Sequence, residues 1–471
     1  MIYEHPNGRF ATDDDTLSAF NDHAQDEQME WAQLLTTERY GHQALGAEEV
    51  GRSHFHKDHD RIVFSSAFRK LGGKTQVHPL AKNDHVHNRL IHSLEVGSVG
   101  RSLGIRVGER IRSQLPDWIE PDDLGVIVQS ACLAHDIGNP PFGHAGEYAI
   151  QDWFKQPENA YLLEPLKANT RRDLTHFEGN AQGFRIIAQV EYHLNRGGLR
   201  LTHPTLGASI KYPWSAEHAT TKGKFSVFEP ELAIMQKLAH SLGLQTREHN
   251  RFQRHPLSYL MEAADDICYA LIDLEDAVEL HIIDFEEVSK VFMNIQGGSG
   301  LDLDDGDNGI SPNRQLAALR GKTIGIMVDA VVDTFVRHQS AIMKGIFDGD
   351  LISQCPDHIR NGIAQAKALA HTKVFLDTQK TETEIGAYAV LSTLLQAFMT
   401  AGFELHKKQD YNQLSYRAKR VFDLMGMEAP SATWSPDEIY HRLIDHIAGM
   451  TDNYASYLAR QIGGPSQPHF V

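Results

Sequence analysis

Apolar residues recur every three or four positions over most of this chain, which is the spacing of one face of an α-helix. In residues 122–134 acidic side chains come first, and the apolar positions are Leu124, Ile127, Val128, Ala131 and Cys132. Residues 258–280 have apolar side chains on one face and acidic ones on another. Alternation typical of β-strands is confined to residues 209–212 and 225–228. The pattern predicts a mostly α fold with small β-hairpin additions.

The same pattern divides the chain into three regions. Residues 1–56 are polar and rich in histidine, with an amphipathic stretch at residues 29–35, and are predicted to form an N-terminal arm. Residues 57–290 contain nearly all clusters of reactive side chains and are predicted to form the core domain. Residues 291–471 are predicted to form a helical C-terminal region that packs on this core, after an exposed glycine- and aspartate-rich loop at residues 296–313.

Composition narrows the classes of function. The chain has 471 residues, of which 41% are hydrophobic, and a formal net charge of −17. This charge argues against a general nucleic-acid surface, since duplex binding depends on cationic neutralisation of phosphates. The sequence has neither a long apolar run nor the pattern of a signal peptide, and its three cysteines are too few for a disulfide framework. We therefore expect a cytoplasmic protein without membrane contact.

Histidine and aspartate occur together at separated places along the chain: His92, the pair His135–Asp136, and Asp265. Imidazole and carboxylate are suitable ligands for Mn, Fe, Zn or Mg ions. The pair ends an apolar helix and is followed by Gly138 and two prolines, so the backbone turns away after it. The remaining ligands would come from neighbouring helices, as in a helical bundle.

Each of these residues alone has a simpler interpretation. A histidine beside an aspartate is usually a surface pair, and two adjacent acids such as Asp265–Asp266 are usually solvated. Leu133 and Ala134 precede the His-Asp pair, however, and put it at the buried end of an apolar helix, where uncompensated polar groups are costly. His92 also lies in a helical segment, whose core-facing residues are predicted to be Leu94, Val99 and Leu103.

The order His92, His135–Asp136 and Asp265, with ACLAHDIGNPPFGHAGE around the pair, resembles the HD superfamily. More narrowly, the chain resembles the bacterial dGTP triphosphohydrolases and the related metazoan dNTP triphosphohydrolase. The supporting segments keep the family's order; they are RIVFSSAFRKLGGKTQV (61–77), NRLIHSLEVGSVGRSL (88–103), HFEGNAQGFRII (176–187), LGASIKYPW (206–214), YLMEAADDICYALIDLEDAVE (259–279) and DHIAGMTDNYASYL (445–458). The resemblance implies an HD-domain helical bundle, with the C-terminal region 291–471 expected to complete the nucleotide pocket.

The resemblance also implies one divalent metal ion per active site, of Mn, Mg, Fe or Zn, with the ligands His92, His135, Asp136 and Asp265. Asp265 is assigned rather than Asp266 because the family's ligand lies four residues before its phosphate-contacting tyrosine, here Tyr269. Asp265, Tyr269 and Asp273 are spaced along one helix face. This face would hold metal, phosphate and sugar in succession. The alternative is an exposed acidic face, which suits Asp273 and Asp276 better than Tyr269.

His144 and Glu147 lie three residues apart just after the His-Asp pair, where a helix is predicted to begin. A histidine held by a carboxylate has its tautomer and pKa set for proton transfer. The resemblance implies that this pair serves catalysis at the α-phosphate. His144 would either activate the attacking water or protonate the leaving 5′-oxygen. The alternative is a surface histidine that caps a helix.

Other positions match the family's nucleotide contacts. Those implied for the triphosphate are Arg89, Asn180, Lys211 and Tyr212, beside Tyr269. Gln76 and Asp273 match positions that bind the 3′-hydroxyl, and Val77 beside Gln76 would help exclude a ribose 2′-hydroxyl. The alternatives are a solvated Arg89 on an amphipathic helix and a Gln76 side chain that caps a helix.

The resemblance implies hydrolysis of deoxynucleoside triphosphates, dGTP and others, at the α-phosphorus. The products would be a deoxynucleoside and inorganic triphosphate. It further implies a homo-oligomer, a tetramer or hexamer, with a dNTP as allosteric effector. A single-stranded DNA effector also occurs in the family, although the acidic charge gives it no support. Two alternatives stay open: another HD phosphohydrolase acting on nucleoside monophosphates or alarmones, and a non-catalytic nucleotide-sensing oligomer.

Overall fold

Helices form nearly all of the described structure. The computed structural model describes residues 28–41, 49, 51–76, 87–191, 197–298, 311–374 and 378–464. Their α-helices are α1 (Trp31–Leu34), α2 (His54–Val63), α3 (Ser66–Lys70), α4 (Arg89–Arg110), α5 (Pro121–Ala134), α6 (Gly143–Lys155), α7 (Ala160–Leu163), α8 (Ala168–Thr175), α9 (Gly179–Arg185), α10 (His203–Ser209), α11 (Leu232–Leu242), α12 (Pro256–Glu279), α13 (Phe285–Ile295), α14 (Pro312–Met343), α15 (Asp357–Leu369), α16 (Thr378–Lys408), α17 (Tyr416–Met425), α18 (Pro436–Ala448) and α19 (Asp452–Gly463). The mostly α fold predicted from the sequence is confirmed.

The two helices predicted over residues 122–134 and 258–280 are confirmed as α5 and α12. Each begins with a proline, Pro121 or Pro256, at a position where the missing backbone N–H needs no partner within the helix. The amphipathic stretch at residues 29–35 contains α1, whose Trp31 and Leu34 are buried. The rest of the predicted N-terminal arm lies partly outside the described residues, as do Val77 and most of the predicted loop at 296–313.

The strands lie elsewhere than predicted. A two-stranded antiparallel sheet pairs β1 (Thr246–Glu248) with β2 (Arg251–Phe252). Ser209 instead ends α10, and the segment after it meets residues 225–228 through isolated contacts, among them the hydrogen bond from Ser226 N to Tyr212 O at 2.9 Å. The two segments do lie side by side, but a continuous ladder is interrupted because Pro213 has no N–H to donate.

Close packing of α4 on α5 sets the framework of the site. A Cβ atom built on Gly104 would lie 2.6 Å from the carbonyl oxygen of Leu124, so only glycine allows the two backbones to approach this closely. Val99 and Leu103 are buried, as predicted, but Leu94 is 46% exposed, so its predicted core position is wrong. The glycine-lined face of α4 is the one that meets α5, and Leu94 lies on a different face, shared with Ser98.

Two apolar clusters form the interior. One is built around α4, α5, α10 and α12, and the other around α6 and the C-terminal helices α16 to α19. The turn after α5 connects them, since Ile137 packs in the first cluster and Phe142 in the second. The His-Asp pair and His144 flank this connection, so their relative position is fixed by both clusters.

One segment of the described chain, Thr381–Lys408 in α16, is long and apolar enough to cross a membrane by length and composition. Half of its most apolar window is buried inside the protein. A core helix has the same properties, and this segment therefore does not indicate a membrane protein.

Candidate active site

A cavity of about 400 Å³ collects the side chains singled out in the sequence. Its lining residues are Gln76, Arg89, His92, His135, Asp136, Asn139, His144, Glu147, Glu178, Asn180, Lys211, Tyr212, Lys224, Met261, Asp265 and Tyr269. All the predicted site residues are among them except Asp273. That residue is buried one helical turn beyond Tyr269 on α12, and its charge contributes to raising the pKa of the Tyr269 hydroxyl, after burial.

Three side chains at one end of the cavity form a set of metal donors. The ligand atoms of His92, His135 and Asp265 all lie within 4.8 Å of one another. The Oδ1 atom of Asp265 lies 3.1 Å from His92 Nε2 and 3.6 Å from His135 Nε2. The His135 Nδ1 atom lies 2.6 Å from the carbonyl oxygen of Cys132, which accepts a hydrogen bond from it and leaves Nε2 with the lone pair.

Asp136 lies beside this set rather than within it. Its Oδ1 atom is 3.6 Å from His135 Nε2 and also accepts a short hydrogen bond from the Asn139 amide. Its Oδ2 atom accepts a hydrogen bond from Arg89 Nη1 at 2.6 Å. Burial opposes ionisation of Asp136, but the charges of Arg89 and of the neighbouring imidazoles outweigh burial and lower its pKa to about 2.

The charges of this end of the cavity fit a cation. Burial disfavours the charged form of His135, yet the carboxylates of Asp136 and Asp265 raise its pKa to about 9. The two acids therefore stabilise a positive charge between them even at a fully buried position. Two imidazole nitrogens with one or two carboxylates are a donor set that suits a divalent ion such as Mn or Fe.

The choice between Asp265 and Asp266 is visible in the geometry. Adjacent residues on a helix point about 100° apart, so only one of them can face the histidines. Asp265 does, whereas Asp266 Oδ1 accepts a hydrogen bond from Lys367 on α15 at 2.8 Å. Asp266 therefore joins α12 to α15 and takes no part in the donor set.

His144 and Glu147 meet on the first turn of α6. His144 Nδ1 lies 2.7 Å from Glu147 Oε2, and the His144 side chain is exposed while that of Glu147 is buried. The other carboxylate oxygen of Glu147 accepts a hydrogen bond from Gly179 N at 2.7 Å. Burial opposes ionisation of Glu147, but the hydrogen bond and charge of His144, the charge of Lys224 and the Gly179 N–H together outweigh burial and lower the pKa of Glu147. The helix start predicted here from the sequence is confirmed, and this pair leaves His144 Nε2 for the cavity.

Cationic side chains line the cavity beyond the donor set. Lys211 Nζ lies 3.1 Å from Glu262, which also pairs with Arg254 at 2.8 Å. Burial alone would lower the pKa of Lys211, but the Glu262 charge raises it, so the ammonium is kept charged. Lys224 Nζ donates a hydrogen bond to Glu178 at 2.6 Å and lies 3.6 Å from Glu147.

Sequence reasoning missed Asn139, Glu178, Lys224 and Met261. Asn139 lies three residues after Asp136, a helical spacing that was available as a signal. Glu178 lies two residues before Asn180, which is a predicted site residue, and caps α9 by accepting a hydrogen bond from Asn180 N at 2.7 Å. Lys224 comes from an irregular loop, where no periodicity predicts which way a side chain points.

Two polar side chains remain available in the cavity wall. The Asn180 amide donates a hydrogen bond to Glu178 at 3.1 Å, which leaves its oxygen toward the cavity side of α9. Gln76 Oε1 is buried and has no hydrogen-bond partner among the described residues. A buried acceptor without a donor is unfavourable, so the Gln76 carbonyl is suited to a donor supplied by a ligand.

The helical fold and the His-Asp donor set define an HD-domain protein, and the HD domain family matches residues 89–219. Relatives extend the match over most of the chain. The deoxyguanosinetriphosphate triphosphohydrolase-like protein of Pseudomonas aeruginosa is 49% identical over 448 residues, covering 93% of this chain and all of that protein. The protein of the same description from Synechocystis is 38% identical, with 93% of this chain and all of that protein covered.

A third relative is the deoxyguanosinetriphosphate triphosphohydrolase of Yersinia enterocolitica, which is 31% identical over 477 residues that cover 85% of this chain and 92% of that protein. The chain belongs to the deoxyguanosinetriphosphate triphosphohydrolase-like family of the HD superfamily. Membership supports a hydrolase. The HD domain implies a divalent metal ion, and the donors His92, His135 and Asp265 fit one.

Proposed function

We propose that this protein hydrolyses deoxynucleoside triphosphates, dGTP and others, to a deoxynucleoside and inorganic triphosphate in a metal-dependent reaction. The observation that carries the proposal is the convergence in one cavity of a metal donor set, a His-Glu pair and several cations. The bond that is cleaved is inferred from the activity named for the Yersinia relative.

The donors that would hold the ion are His92, His135 and Asp265, with Asp136 as the fourth ligand. When bound, a divalent ion would supply Lewis-acid polarisation of a phosphate oxygen and a lowered pKa of water. The proposed ion is manganese, magnesium, iron or zinc. Arg89 and Asn139 hold the Asp136 carboxylate in place, and mutation of such supporting groups typically weakens metal sites.

His144 is proposed to move the proton. In the reaction a water oxygen forms a bond to the α-phosphorus, the bond from phosphorus to the 5′-oxygen breaks, and a proton ends on that oxygen. Glu147 orients the imidazole through Nδ1, so Nε2 can accept the proton of the water or donate one to the leaving oxygen. The buried Glu147 is itself fixed by Gly179, which prevents the pair from rotating.

The triphosphate is proposed to lie along the cations of the cavity. Arg89, Lys211 and Lys224 together can neutralise much of the charge of a triphosphate. Tyr212, Tyr269 and Asn180 would add hydrogen bonds. Glu178 holds Lys224 in position before a substrate arrives, and Glu262 does the same for Lys211. This limits the side-chain entropy that the two lysines lose on binding.

Gln76 is proposed to read the sugar. Its buried Oε1, without a partner among the described residues, can accept a hydrogen bond from the 3′-hydroxyl. Asp273 does not line the cavity. Its proposed part in sugar binding is therefore indirect, through Tyr269, on which its charge acts. Assembly as a homo-oligomer and the effectors stay predictions from the resemblance, and a cytoplasmic location stays a prediction from the composition of the sequence.

The proposal is tested by incubating the protein with each dNTP and NTP, singly and in pairs, with Mn or Mg. Pairs are included because one nucleotide can activate hydrolysis of another. We expect chromatography to show a deoxynucleoside and tripolyphosphate, with dNTPs consumed much faster than NTPs and no turnover by His135→Ala. Release of pyrophosphate or orthophosphate would contradict the proposal, and so would the absence of turnover under every condition.

A further inference from the structure

The segment DHIAGMTDNYASYL (445–458) has no part in the proposed function, yet its turn contacts two loops that border the cavity. The segment contains the end of α18, a short turn and the start of α19. Asp452, the first residue of α19, is 1% exposed. A buried carboxylate is unfavourable unless its oxygens accept hydrogen bonds, so its partners identify what it holds.

Asp452 accepts hydrogen bonds from both loops. Its Oδ2 atom accepts from Thr75 N at 2.9 Å and from Thr75 Oγ1 at 2.6 Å. Its Oδ1 atom accepts from Phe142 N at 2.9 Å. One rigid carboxylate thus fixes the distance between Thr75 and Phe142.

Lys74 joins the same three parts of the chain, but it donates hydrogen bonds where Asp452 accepts them. It is buried, and its Nζ atom donates hydrogen bonds to Asn139 O at 2.5 Å and to Ala448 O at 2.8 Å. A Cβ atom built on Gly73 would lie 2.8 Å from Thr451 Cγ2, so the loop and the turn are in close contact. Lys74 on the first loop thus contacts the second loop and the end of α18, and Asp452 after the turn contacts both loops.

Both loops lead directly to residues of the proposed chemistry. Thr75 precedes Gln76, and Phe142 lies two residues before His144. Phe142 has φ of 64°, a left-handed conformation that is followed by a second one at Gly143, with φ of 59°. Such a conformation is unfavourable for a residue other than glycine and persists only where its surroundings hold it. The hydrogen bond from Phe142 N to Asp452 is one contact that does so.

We propose that Asp452 is a positioning residue that sets the placement of Gln76 relative to His144. The inference rests on the proposed function, because it assigns to Asp452 the alignment of the sugar-reading side chain with the proton-transferring one. Asp452 touches neither the metal donors nor the cavity. Its loss therefore disturbs alignment while metal binding is retained.

A matched control is available on the neighbouring helix. Asp437 lies in the first turn of α18, as Asp452 lies in the first turn of α19. Its Oδ1 atom accepts a hydrogen bond from Lys167 N at 3.1 Å, which also joins two distant parts of the chain. Asp437 makes this contact away from the cavity, so Asp437→Asn reproduces the loss of a carboxylate charge in the first turn of a helix without the loss of alignment.

The experiment compares Asp452→Asn with Asp437→Asn. The NH2 group of asparagine cannot accept from a backbone N–H, whereas its carbonyl oxygen still can, so one of the two loops is released. We expect Asp452→Asn to lower kcat for dGTP by about 10²-fold, because small displacements of reacting groups have effects of that size. The preference for dGTP over 2′,3′-dideoxy-GTP, which lacks the 3′-hydroxyl that Gln76 is proposed to bind, should also fall. Mn affinity measured by calorimetry should stay within about 3-fold of the wild type, below the usual effect of disturbing a ligand. Asp437→Asn should change none of these values.

Thr75 provides a second test that keeps the carboxylate. Thr75→Val removes the Oγ1 donor and retains shape, whereas Thr75→Ser keeps the donor. We expect Thr75→Val to reduce the preference for dGTP over 2′,3′-dideoxy-GTP and Thr75→Ser to retain it. A loss of sugar preference that is equal in the two variants would overturn the inference, since packing rather than the hydrogen bond would then be responsible.

Hydrogen exchange separates this inference from the proposed function. In Asp452→Asn the amides of residues 74–76 and 142–144 should exchange faster than in the wild type and in Asp437→Asn. If the wild type hydrolyses no dNTP, the proposed function fails, and this exchange still shows whether Asp452 holds the two loops. If the wild type is active but Asp452→Asn matches it in kcat, sugar preference and exchange, the inference fails and the proposed function stands.

Discussion

At the scale of single residues, the candidate site depends on which atom of each side chain is left to face the cavity. His135 uses Nδ1 toward the Cys132 carbonyl, and His144 uses Nδ1 toward Glu147. In both cases a neighbour fixes the ring and leaves Nε2 for a ligand. The same imidazole can thus serve as a metal donor beside carboxylates or as a proton carrier beside one glutamate.

Replacing Asp265 tests the donor set directly. Asp265→Asn removes the carboxylate that contacts both histidines, and we expect Mn affinity to fall by at least about 10²-fold, more than the usual effect of changing a group outside the ligand shell. The measurement is calorimetric titration of the protein with Mn. Asp266→Asn is the matched control, because that acid is paired with Lys367 instead. Equal loss of affinity in the two variants would contradict the assignment.

The residues that could be predicted are those in regular helices. Asp265 follows from helical register, since only one of two adjacent acids can face a given direction. Lys224 could not be predicted in this way, because an irregular loop brings it to the cavity. Leu94 was predicted incorrectly because the close approach at glycine positions, rather than the largest apolar side chains, selects the buried face of α4.

At the scale of elements, the pair α4–α5 carries the donors His92 and His135 on facing helices. Gly104 has no space for a side chain against the Leu124 carbonyl, and a backbone atom cannot move aside as a side chain can. The two helices can approach this closely at Gly104 because this residue has no Cβ atom.

We expect Gly104→Ala to lower the free energy of unfolding by about 1–3 kcal/mol, because it overpacks this contact. The control is Gly321→Ala in α14, where a Cβ atom would meet nothing within 4 Å. There we expect an increase of about 0.5–1 kcal/mol, because alanine favours the helix over glycine. Urea denaturation measures both values. A loss of stability at Gly321 comparable to that at Gly104 would argue against the contact as the cause.

The start of α12 contains a buried histidine that is held neutral. His255 Nδ1 accepts a hydrogen bond from Leu257 N at 3.2 Å, and Nε2 donates to Leu34 O at 3.1 Å. A proton on Nδ1 would oppose the Leu257 N–H. Burial lowers the pKa of His255 to about 4.

This histidine makes stability depend on pH. Between pH 6.5 and 4 the unfolded chain binds a proton at His255 that the folded chain does not, so stability is lost as the pH falls, by about 1.4 kcal/mol per pH unit. His255→Asn keeps a cap for α12 but does not titrate, so the slope of unfolding free energy between pH 6 and 5 should be shallower by about that amount. In the variant, His441 and His446 still contribute to the slope, because burial lowers the pKa of each to about 4. The exposed His240→Asn should leave it unchanged.

The strands were the least predictable elements. Residues 209–212 and 225–228 have the composition of strands and do meet in space, but Pro213 and the side-chain hydrogen bond from Tyr212 N to Ser226 Oγ at 3.1 Å replace the ladder. Whether adjacent segments pair regularly depends on backbone donors in both of them, which a count of β-branched and aromatic residues does not include.

At the scale of the whole molecule, the candidate site joins helices that are distant from one another in the sequence. The donors come from α4, the end of α5 and α12, and the adjacent His-Glu pair comes from α6. The chain has a net charge of −17, yet its cations Arg89, Lys211 and Lys224 are concentrated around one cavity. Overall charge therefore argues against a general nucleic-acid surface without excluding a site for a small polyanion.

Metal binding should accordingly stabilise the whole fold. A ligand that binds only the folded protein at 100 times its Kd adds about 2.7 kcal/mol of stability. We expect the thermal midpoint to rise when Mn is added to chelator-treated protein and to fall again with excess chelator. Asp265→Asn should abolish this response, and an unchanged midpoint in the wild type would contradict a site shared by these helices.

The contact between Thr75 and Asp452 spans 377 positions of sequence. A ribosome must therefore add 377 further residues after Thr75 before the two loops beside the cavity can be connected. Until then a nascent chain carries all four proposed metal donors but holds Phe142 without its carboxylate partner. The two loops are thus joined only after every proposed donor has been made, and a chain that stops before Asp452 lacks this connection.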